Sequence, residues 1–324
     1  MTGQTWALAT AREADGERAY LVRGEDAVAL DDAARAAGRD ASAAPSSSVL
    51  SLLQSWDASE PWLHELAALD AQRWSALARP LQEVQLAAPV TRPGTLLYAA
   101  ANYRAHVMEQ QRALHSEETQ EIDKRTLQPY FFMKPATALS GPFDDIVIPD
   151  GVTQMDWEVE LAFVIGRGGF RISESHAMEH IAGYLIADDI TARDLVIRRD
   201  WPLLRTDWLA GKGFPGFAPL GPLLVPACFV PDPLNIRLQL RVNGESKQDA
   251  NTADMVFTPA EQIAFVSSVM PLEPGDVIST GTPEGVGFSS GVFLQAGDVI
   301  EAGAEGLGWQ RTTVVAAGEA GAGR

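Results

Sequence analysis

The chain of 324 residues is 46% hydrophobic and 21% charged, a composition typical of a globular protein with enough apolar residues to form a core. Its 43 acidic residues outnumber its 25 basic residues, and the net charge of −18 argues against binding to nucleic acid or to an anionic membrane. The one cysteine cannot form an intrachain disulfide, which favours a reducing compartment. Because the sequence shows neither a signal-peptide pattern nor a membrane-spanning apolar run, we expect a cytoplasmic protein.

Two domains are predicted. Residues 1–88 are expected to form a small N-terminal domain, in which the segment 19–30 predicts a β-hairpin and the apolar spacing over 63–77 predicts helices. A loop rich in Ala, Pro and Ser is expected at 41–48. A segment with two prolines and a glycine follows the small domain, and residues 89–324 are expected to form the larger one.

The larger domain is predicted to mix strands with few helices. Residues 96–99 predict a strand. Residues 236–242 alternate between apolar and polar and lead into Asn243-Gly244, the strongest short signal for a hairpin. The segment 110–128 is polar and long for a connection. We therefore expect residues 103–130 to form a lid that is mobile without ligand and closes on binding.

Two motifs with known chemistry lack the surroundings that this chemistry needs. The Gly-x-Ser-x-Gly pattern at 287–291 is similar to a nucleophile elbow, but the elbow needs a later histidine and all five histidines precede it. His176 and His180 are spaced like the zinc ligands of one protease class and could share a helix face. Their surroundings favour a short surface helix with Ser173 as N-cap, and a zinc site is the alternative.

Acidic residues alternate with apolar ones at the start of a strongly apolar segment. In a strand that begins at Asp156, the side chains of Asp156, Glu158 and Glu160 would lie on one face. Carboxylates on one face repel one another unless water or a cation neutralises them. A metal site and an edge strand with an acidic solvent face are the two interpretations.

A further carboxylate is expected where the next apolar strand ends. Asp189 follows this strand and would be a third oxygen ligand beside Glu158 and Glu160 in a site for Mg²⁺, Mn²⁺ or Ca²⁺. Thr191 and Asp194 come directly afterwards and suit the first turn of a helix, in a pattern similar to a capping box.

Three other groups are candidates for chemistry. His106 and Glu109 lie three residues apart on a predicted helix, where the carboxylate would orient the imidazole as a general base; a surface pair is the alternative. Lys212, one of four lysines, lies between two glycines and is a candidate for stabilising negative charge, with a flexible turn as the alternative. The segment 281–287 offers backbone amides and a hydroxyl that could hold a carboxylate, although its composition alone predicts a turn.

The order of these groups along the chain resembles the fumarylacetoacetate hydrolase family. The likeness covers about residues 94–304 and rests on the segments NYRAHVME, DWEVELAFVIG, GYLIADDITARD, GKGF, VNGE and LEPGDVISTGTPEGVG. The resemblance implies an α+β fold, a mixed β-sandwich or β-roll with a small N-terminal α/β domain. It also implies a homodimer that acts on a small anionic keto acid.

The same resemblance implies roles for individual residues. It implies a divalent metal, usually Mg²⁺, on Glu158, Glu160 and Asp189. The implied catalytic residues are His106, Glu109 and Lys212, and the implied substrate-binding residues are Tyr103, Arg193 and Thr282. Two positions depart from the family pattern, because Val196 stands where many relatives carry glutamine and Asp188 where asparagine is usual.

These expectations favour a metal-dependent hydrolase that cleaves a carbon–carbon bond in a 2,4-dioxo acid, giving pyruvate and a carboxylic acid. A decarboxylase or tautomerase of a β-keto acid such as oxaloacetate, acting at the same site, is the alternative. A non-catalytic small-molecule-binding protein and a zinc peptidase are more distant alternatives. The intact set of candidate ligands and dyad residues argues against the non-catalytic one.

Overall fold

The computed structural model describes residues 5–39, 48–113, 122–198, 200 and 203–318. The loop predicted at 41–48 lies outside these ranges except for Ser48, and so does the middle of the predicted lid. None of the helices in the described ranges is both long enough and apolar enough to cross a bilayer.

The described chain contains ten α-helices and nineteen strands, joined by turns and short 3₁₀ helices. The helices are α1 (Leu30–Ala36), α2 (Val49–Gln54), α3 (Trp56–Ala67), α4 (Ala71–Leu77), α5 (Arg104–Ala113), α6 (Glu174–Ala177), α7 (Arg193–Val196), α8 (Trp208–Lys212), α9 (Pro259–Val269) and α10 (Gly287–Ser290). The strands are β1 (Ala7–Glu13), β2 (Gly16–Arg23), β3 (Asp26–Ala29), β4 (Arg79–Pro80), β5 (Leu86–Ala87), β6 (Leu96–Ala100), β7 (Tyr130–Lys134), β8 (Leu139–Ser140), β9 (Ile146–Val147), β10 (Met155–Asp156), β11 (Val159–Ile165), β12 (Ile181–Asp188), β13 (Thr191–Ala192), β14 (Ala218–Pro226), β15 (Arg237–Val242), β16 (Glu245–Asn251), β17 (Val277–Ser279), β18 (Val299–Ala304) and β19 (Gly308–Val315).

A twelve-stranded sheet forms the centre of the molecule. Ten strands follow the order β4-β3-β2-β1-β14-β12-β11-β17-β6-β7, while β5 pairs with β1 and β8 pairs with β14. Strands β11 and β12 are buried along their whole length, which explains their nearly unbroken apolar sequences. Leu161 and Phe163 belong to one hydrophobic core, and Ala162 and Val164 belong to the other. The sheet therefore carries a core on each face.

A five-stranded sheet covers one face of the large sheet, and helices cover the other. The smaller sheet has the order β16-β15-β18-β19-β9, and the apolar residues of β15 pack into the core shared with β11. Asn243 and Gly244 make the turn between β15 and β16 with φ angles of 53° and 79°, values that Asn and Gly tolerate best. Helices α1 to α4 pack on the opposite face. The fold is the α+β sandwich that was expected, and the predicted hairpin is confirmed.

The N-terminal segment extends the large sheet. Strand β1 pairs antiparallel with β14, with Leu8 opposite Leu224, and the predicted hairpin of β2 and β3 continues from β1. The guanidinium of Arg12 donates two hydrogen bonds of 2.6 Å to the Asp144 carboxylate and so joins the two parts of the chain. The predicted helices over 63–77 correspond to the end of α3 and to α4. Strands of both parts belong to one sheet, so sheet pairing does not separate them. The division into two domains stays a prediction.

Gln310 connects the two sheets. Its amide nitrogen, on β19, lies 2.8 Å from the carbonyl oxygen of Ile186 and 3.2 Å from those of Pro219 and Gly221. The side chain is only 2% exposed, so water has little access to these carbonyl groups. The amide therefore supplies a donor to buried backbone carbonyl groups of the large sheet.

Replacing Gln310 with Leu should lower the free energy of unfolding by about 1–3 kcal/mol, because buried carbonyl groups lose a donor. Chemical denaturation measures the change. Gln295→Leu is the matched control, since Gln295 is exposed and should change stability little. Equal effects of the two substitutions would show that Gln310 does not join the sheets energetically.

Candidate active site

Three carboxylates meet where β11 begins and β12 ends. Oxygen atoms of Glu158, Glu160 and Asp189 lie within 4.8 Å of one another, and all three side chains are buried. The predicted continuous strand from Asp156 is wrong, because strand pairing stops at residues 157–158 between β10 and β11. The three predicted metal ligands nevertheless come together.

The Asp156 carboxylate binds the guanidinium of Arg193 and the backbone at residues 287–288. Its Oδ2 accepts a hydrogen bond of 2.8 Å from Nε of Arg193. The backbone N–H groups of Gly287 and Phe288 donate to the same carboxylate at 2.6 and 2.9 Å. Arg193 also donates to Glu158, so its guanidinium bridges two buried carboxylates. Arg193 is thereby placed at the edge of the candidate metal site.

Thr191 belongs to the site, and the predicted capping box is wrong. Thr191 lies in β13, and α7 begins at Arg193 after an N-cap without a side-chain hydrogen bond. The Thr191 hydroxyl donates to the carbonyl oxygen of Asp189 at 2.9 Å and accepts from Nζ of Lys212 at 2.8 Å. Asp194 instead accepts hydrogen bonds from the backbone and side chain of Thr153. Thr191 therefore orients the lysine.

Lys212 binds protein oxygens with its whole ammonium group. Its Nζ donates to Glu158 at 2.9 Å, to Asp189 and to the Thr191 hydroxyl. An ammonium group has three N–H donors, so all of them are used in this arrangement. Burial lowers the pKa of Lys212, but Asp189 and Glu158 outweigh this effect and raise it above the ordinary value. The predicted stabilisation of a developing negative charge stays a prediction.

Lys134 is a site residue that the sequence reasoning missed. Its Nζ lies 2.5 Å from Oδ1 of Asp189, and it donates to the carbonyl oxygens of Ile190, at 3.0 Å, and Phe217. The side chain is completely buried, and this burial lowers the pKa of Lys134. The chain has only four lysines, and the scarcity that singled out Lys212 applies equally to Lys134.

The buried carboxylates of this region outnumber the cations that contact them. The carboxylates are Asp156, Glu158, Glu160, Asp188 and Asp189, and the cations are Lys134, Arg193 and Lys212. Fully ionised, the group has a net charge of −2, which one divalent cation would balance. Burial and the nearby Asp189 raise the pKa of Glu160 well above its usual range. Buried carboxylate oxygens whose negative charge is not fully balanced by nearby cations are suitable ligands for Mg²⁺ or Mn²⁺.

The predicted dyad is formed on α5. His106 is 3% exposed, and its Nδ1 lies 3.4 Å from Oε2 of Glu109. The Glu109 carboxylate also accepts hydrogen bonds of 3.0 and 3.2 Å from the backbone N–H of Gly285. On the other side of the ring, the amide nitrogen of Gln110 lies 2.8 Å from Nε2 of His106. The imidazole is therefore held from both sides.

A cavity of about 390 Å³ joins His106 to the carboxylates. Its lining includes His106, Gln110, Glu158, Glu160, Asp189, Arg193, Lys212 and Thr282, together with the aromatic residues Tyr130, Phe132 and Trp208. Tyr103 is not in this lining, and its side chain is completely buried. Val196, which departs from the family pattern, does not line the cavity either. It packs so closely against Gly211 that a Cβ added to this glycine would lie 2.2 Å from Cγ2 of Val196.

A second group of donors does not suit a metal. Glu60, His64 and Cys228 offer ligand atoms within 4.8 Å of one another. Trp6 Nε1 donates to Nδ1 of His64 at 3.1 Å, which places the proton of a neutral ring on Nε2. Nε2 faces Cys228, at 3.9 Å from Sγ, and is the nitrogen that a metal would need. The structure therefore favours a polar packing contact.

The zinc alternative on the histidine pair has no support in the geometry. His176 Nδ1 contacts the hydroxyls of Ser173 and Ser175, whereas His180 Nδ1 contacts the carbonyl oxygen of Arg167. Helix α6 ends at Ala177, so the two rings do not share a continuous helix face. Among the described residues, these histidines are not part of any group of donors close enough to hold a metal.

Comparison with known proteins decides the family. A family model described as the C-terminal part of fumarylacetoacetate (FAA) hydrolase matches residues 95–315. The chain belongs to the fumarylacetoacetate hydrolase family. Oxaloacetate tautomerase FAHD2A, mitochondrial, from Homo sapiens is 43% identical to this family member over 231 residues, which cover 71% of this chain and 69% of the human one.

Solved structures of the fumarylacetoacetate hydrolase family have the same fold. The fumarylacetoacetate hydrolase of Exiguobacterium antarcticum superimposes with a TM-score of 0.75 at 28% identity, covering 96% of this chain and 99% of its own. The maleylpyruvate hydrolase of Sphingobium sp. SYK-6, solved with manganese(II) and pyruvate, gives a TM-score of 0.69 at 27% identity. That match covers 95% of this chain and 99% of the hydrolase.

Glu160→Gln should weaken Mn²⁺ binding by roughly 10²-fold or more, because it removes one charged oxygen from the candidate metal site. Calorimetry with Mn²⁺ measures the change. Asp156→Asn is the matched control and should weaken binding less, since Asp156 is bound by Arg193 and backbone amides. Equal weakening by both substitutions would contradict the assigned ligands.

Lys134→Met should destabilise the metal-free protein by about 3–5 kcal/mol, because the Asp189 carboxylate would be left buried without one of its cations. Saturating Mg²⁺ should restore part of the lost stability by supplying positive charge near Asp189. Thermal unfolding with and without Mg²⁺ tests this. Lys124→Met, which breaks a partly exposed pair with Glu261, is the control and should have a small effect with no Mg²⁺ dependence.

Proposed function

We propose that the chain is a divalent-metal-dependent enzyme of small 2-keto acids, with keto–enol tautomerisation of a β-keto dicarboxylic acid such as oxaloacetate as the best-supported reaction. The observation that carries the proposal is the position of His106, a buried imidazole paired with Glu109 that faces the same cavity as the three candidate metal ligands. The relatives named oxaloacetate tautomerase support the same reaction.

The buried cations keep the candidate metal ligands in place. A divalent cation on Glu158, Glu160 and Asp189 would act as a Lewis acid that polarises the 2-oxo group of the substrate. Lys134 and Lys212 fix the two oxygens of Asp189, and Arg193 and Lys212 fix those of Glu158. The Arg193 side chain lies in the cavity lining, where its positive charge favours an anionic substrate.

His106 moves the proton in this mechanism. Because Nδ1 faces Glu109, a neutral ring carries its proton there and has its basic lone pair on Nε2. Nε2 takes a proton from carbon 3 of the keto form and delivers the same proton to the 2-oxo oxygen, which becomes the enol hydroxyl and leaves the ring neutral again; the reverse transfer restores the keto form. The Glu109 carboxylate, fixed by the N–H of Gly285, stabilises the imidazolium that forms. The reaction needs no second reactant in the cavity.

Hydrolysis of a 2,4-dioxo acid is the second candidate. The likeness to a structure named maleylpyruvate hydrolase, solved with pyruvate, favours it. His106 would then accept a proton from the water molecule that attacks carbon 4. The groups proposed to bind the 2-keto acid end of oxaloacetate would bind the pyruvoyl end of this substrate. Decarboxylation of a β-keto acid needs no such base and gains less support from the dyad.

Assembly and location are also proposals. We propose a homodimer, which the family resemblance favours, and a location in the cytoplasm, which the sequence favours. Because the similar human protein is named as mitochondrial, the location should be tested directly.

Wild-type protein with Mg²⁺ should speed the interconversion of enol and keto oxaloacetate, and His106→Ala should slow the catalysed reaction by about 10²-fold or more, because it removes the general base. The ultraviolet absorbance of the enol follows the reaction. EDTA should abolish catalysis and Mg²⁺ should restore it. His176→Ala is the control, because it removes an exposed imidazole whose ring hydrogen bonds, among the described residues, are to serines of its own turn, and it should leave the rate unchanged.

Acylpyruvates are tested in the same preparation. Release of pyruvate from acylpyruvates without any effect on the oxaloacetate equilibration would replace the first candidate with the second. If the metal-loaded protein changes neither substrate, the proposed function is wrong.

A further inference from the structure

The side chain of Gln110 covers the nitrogen that His106 needs as a base. The amide nitrogen of Gln110 lies 2.8 Å from Nε2 of His106, one helical turn away on α5. An amide N–H can only donate, so Nε2 accepts and the ring proton lies on Nδ1, beside Glu109. This arrangement fixes the tautomer that a general base requires, but it also occupies the basic nitrogen.

A neutral imidazole nitrogen has one lone pair in the ring plane. While this lone pair accepts the hydrogen bond from Gln110, it cannot take a proton from a substrate. The amide must therefore leave Nε2 before His106 acts as a base. Gln110 lines the cavity together with His106, so a bound substrate can reach the amide.

The two cationic side chains of the cavity are bound more firmly than the Gln110 amide. Lys212 and Arg193 both donate to buried carboxylates. A hydrogen bond with an ionised partner is about twice as strong as one between neutral groups. The Gln110 amide, held by a neutral nitrogen, is therefore displaced more easily than the donors of the two cations.

We propose that Gln110 determines the preference for a dicarboxylic substrate. When a β-keto diacid binds, the amide moves from Nε2 of His106 to an oxygen of the second carboxylate, and this move uncovers the base. The inference rests on the proposed function, because it assigns the distal carboxylate of that substrate. A carboxylate accepts a stronger hydrogen bond than a neutral imidazole does, so the exchange favours the diacid. Pyruvate has no second carboxylate and leaves the base covered.

Gln110→Met keeps the length of the side chain and removes its hydrogen bonds. We expect kcat/KM for oxaloacetate tautomerisation to fall roughly tenfold, mainly through KM, because the diacid loses a charge-assisted hydrogen bond. Exchange of the C3 hydrogens of pyruvate for deuterium, followed by NMR, should stay the same or become faster. Gln111→Met is the matched control, because Gln111 is the next residue on α5 and does not line this cavity. This substitution should change neither rate. An equal loss for both substrates would overturn the proposal.

A binding measurement separates this inference from the proposed function. 3,3-Difluorooxaloacetate has the two carboxylates of the substrate but no C3 hydrogen, so it binds without enolising. Calorimetry on the Mg²⁺-loaded protein should show roughly tenfold weaker binding of this analogue to Gln110→Met than to wild type, with equal binding of oxalate to both. Equal binding of the analogue to both proteins would overturn the role of Gln110 and leave the proposed function standing. No binding of the analogue to wild type would overturn the proposed substrate class, and the inference with it.

Discussion

The cost of burying carboxylates determines the arrangement at the centre of this molecule. Removing an ionised carboxylate from water costs several kcal/mol unless a cation and hydrogen bonds compensate it. Here the compensation comes from three cations that each contact more than one group: Lys134, Arg193 and Lys212. The carboxylates still exceed these cations, so the site is built to attract further positive charge. A divalent ion and an anionic substrate bound to it fit this requirement.

The strand interruption at the site depends on side chains that replace missing backbone partners. Strand pairing stops at residues 157–158, and the backbone N–H groups there and at the start of β11 need other acceptors. The Asp188 carboxylate accepts from the N–H of Glu158, and the Gln248 side chain accepts from the N–H of Val159, both at 2.9 Å. The amide nitrogen of Gln248 donates in turn to Thr282 at 2.9 Å. The interruption leaves Glu158 in contact with Arg193 and Lys212, while side-chain oxygens accept from the backbone N–H groups beside it.

Sequence patterns predicted those elements that are determined by residues close together along the chain. The Asn243-Gly244 turn, the apolar strands and the spacing of His106 and Glu109 were all visible within a few residues. The position of Lys134 could not be derived in this way, because its partner Asp189 lies far along the chain and the pair forms only after strands of the large sheet have assembled. Thr191 was misassigned for the same reason: a capping pattern is local, whereas the contact with Lys212 is tertiary. Family resemblance supplied the ligand set that spacing alone left open.

The glycine-rich segment 281–287 binds carboxylates through its backbone amides. The sequence indicated that these amides could hold a carboxylate, and in the structure they hold carboxylates of the protein itself. Gly281 N–H donates to Glu160 at 2.8 Å, Gly285 N–H to Glu109 at 3.0 Å and Gly287 N–H to Asp156 at 2.6 Å.

Glycine at 285 is required for this contact, because its φ is +97° and a Cβ would lie 2.1 Å from the carbonyl oxygen of Lys247. The same short segment thus positions a candidate metal ligand, the partner of the base and the partner of Arg193. A shift of this segment would disturb the candidate metal site and the base together, which couples the position of α5 to the geometry of the carboxylates.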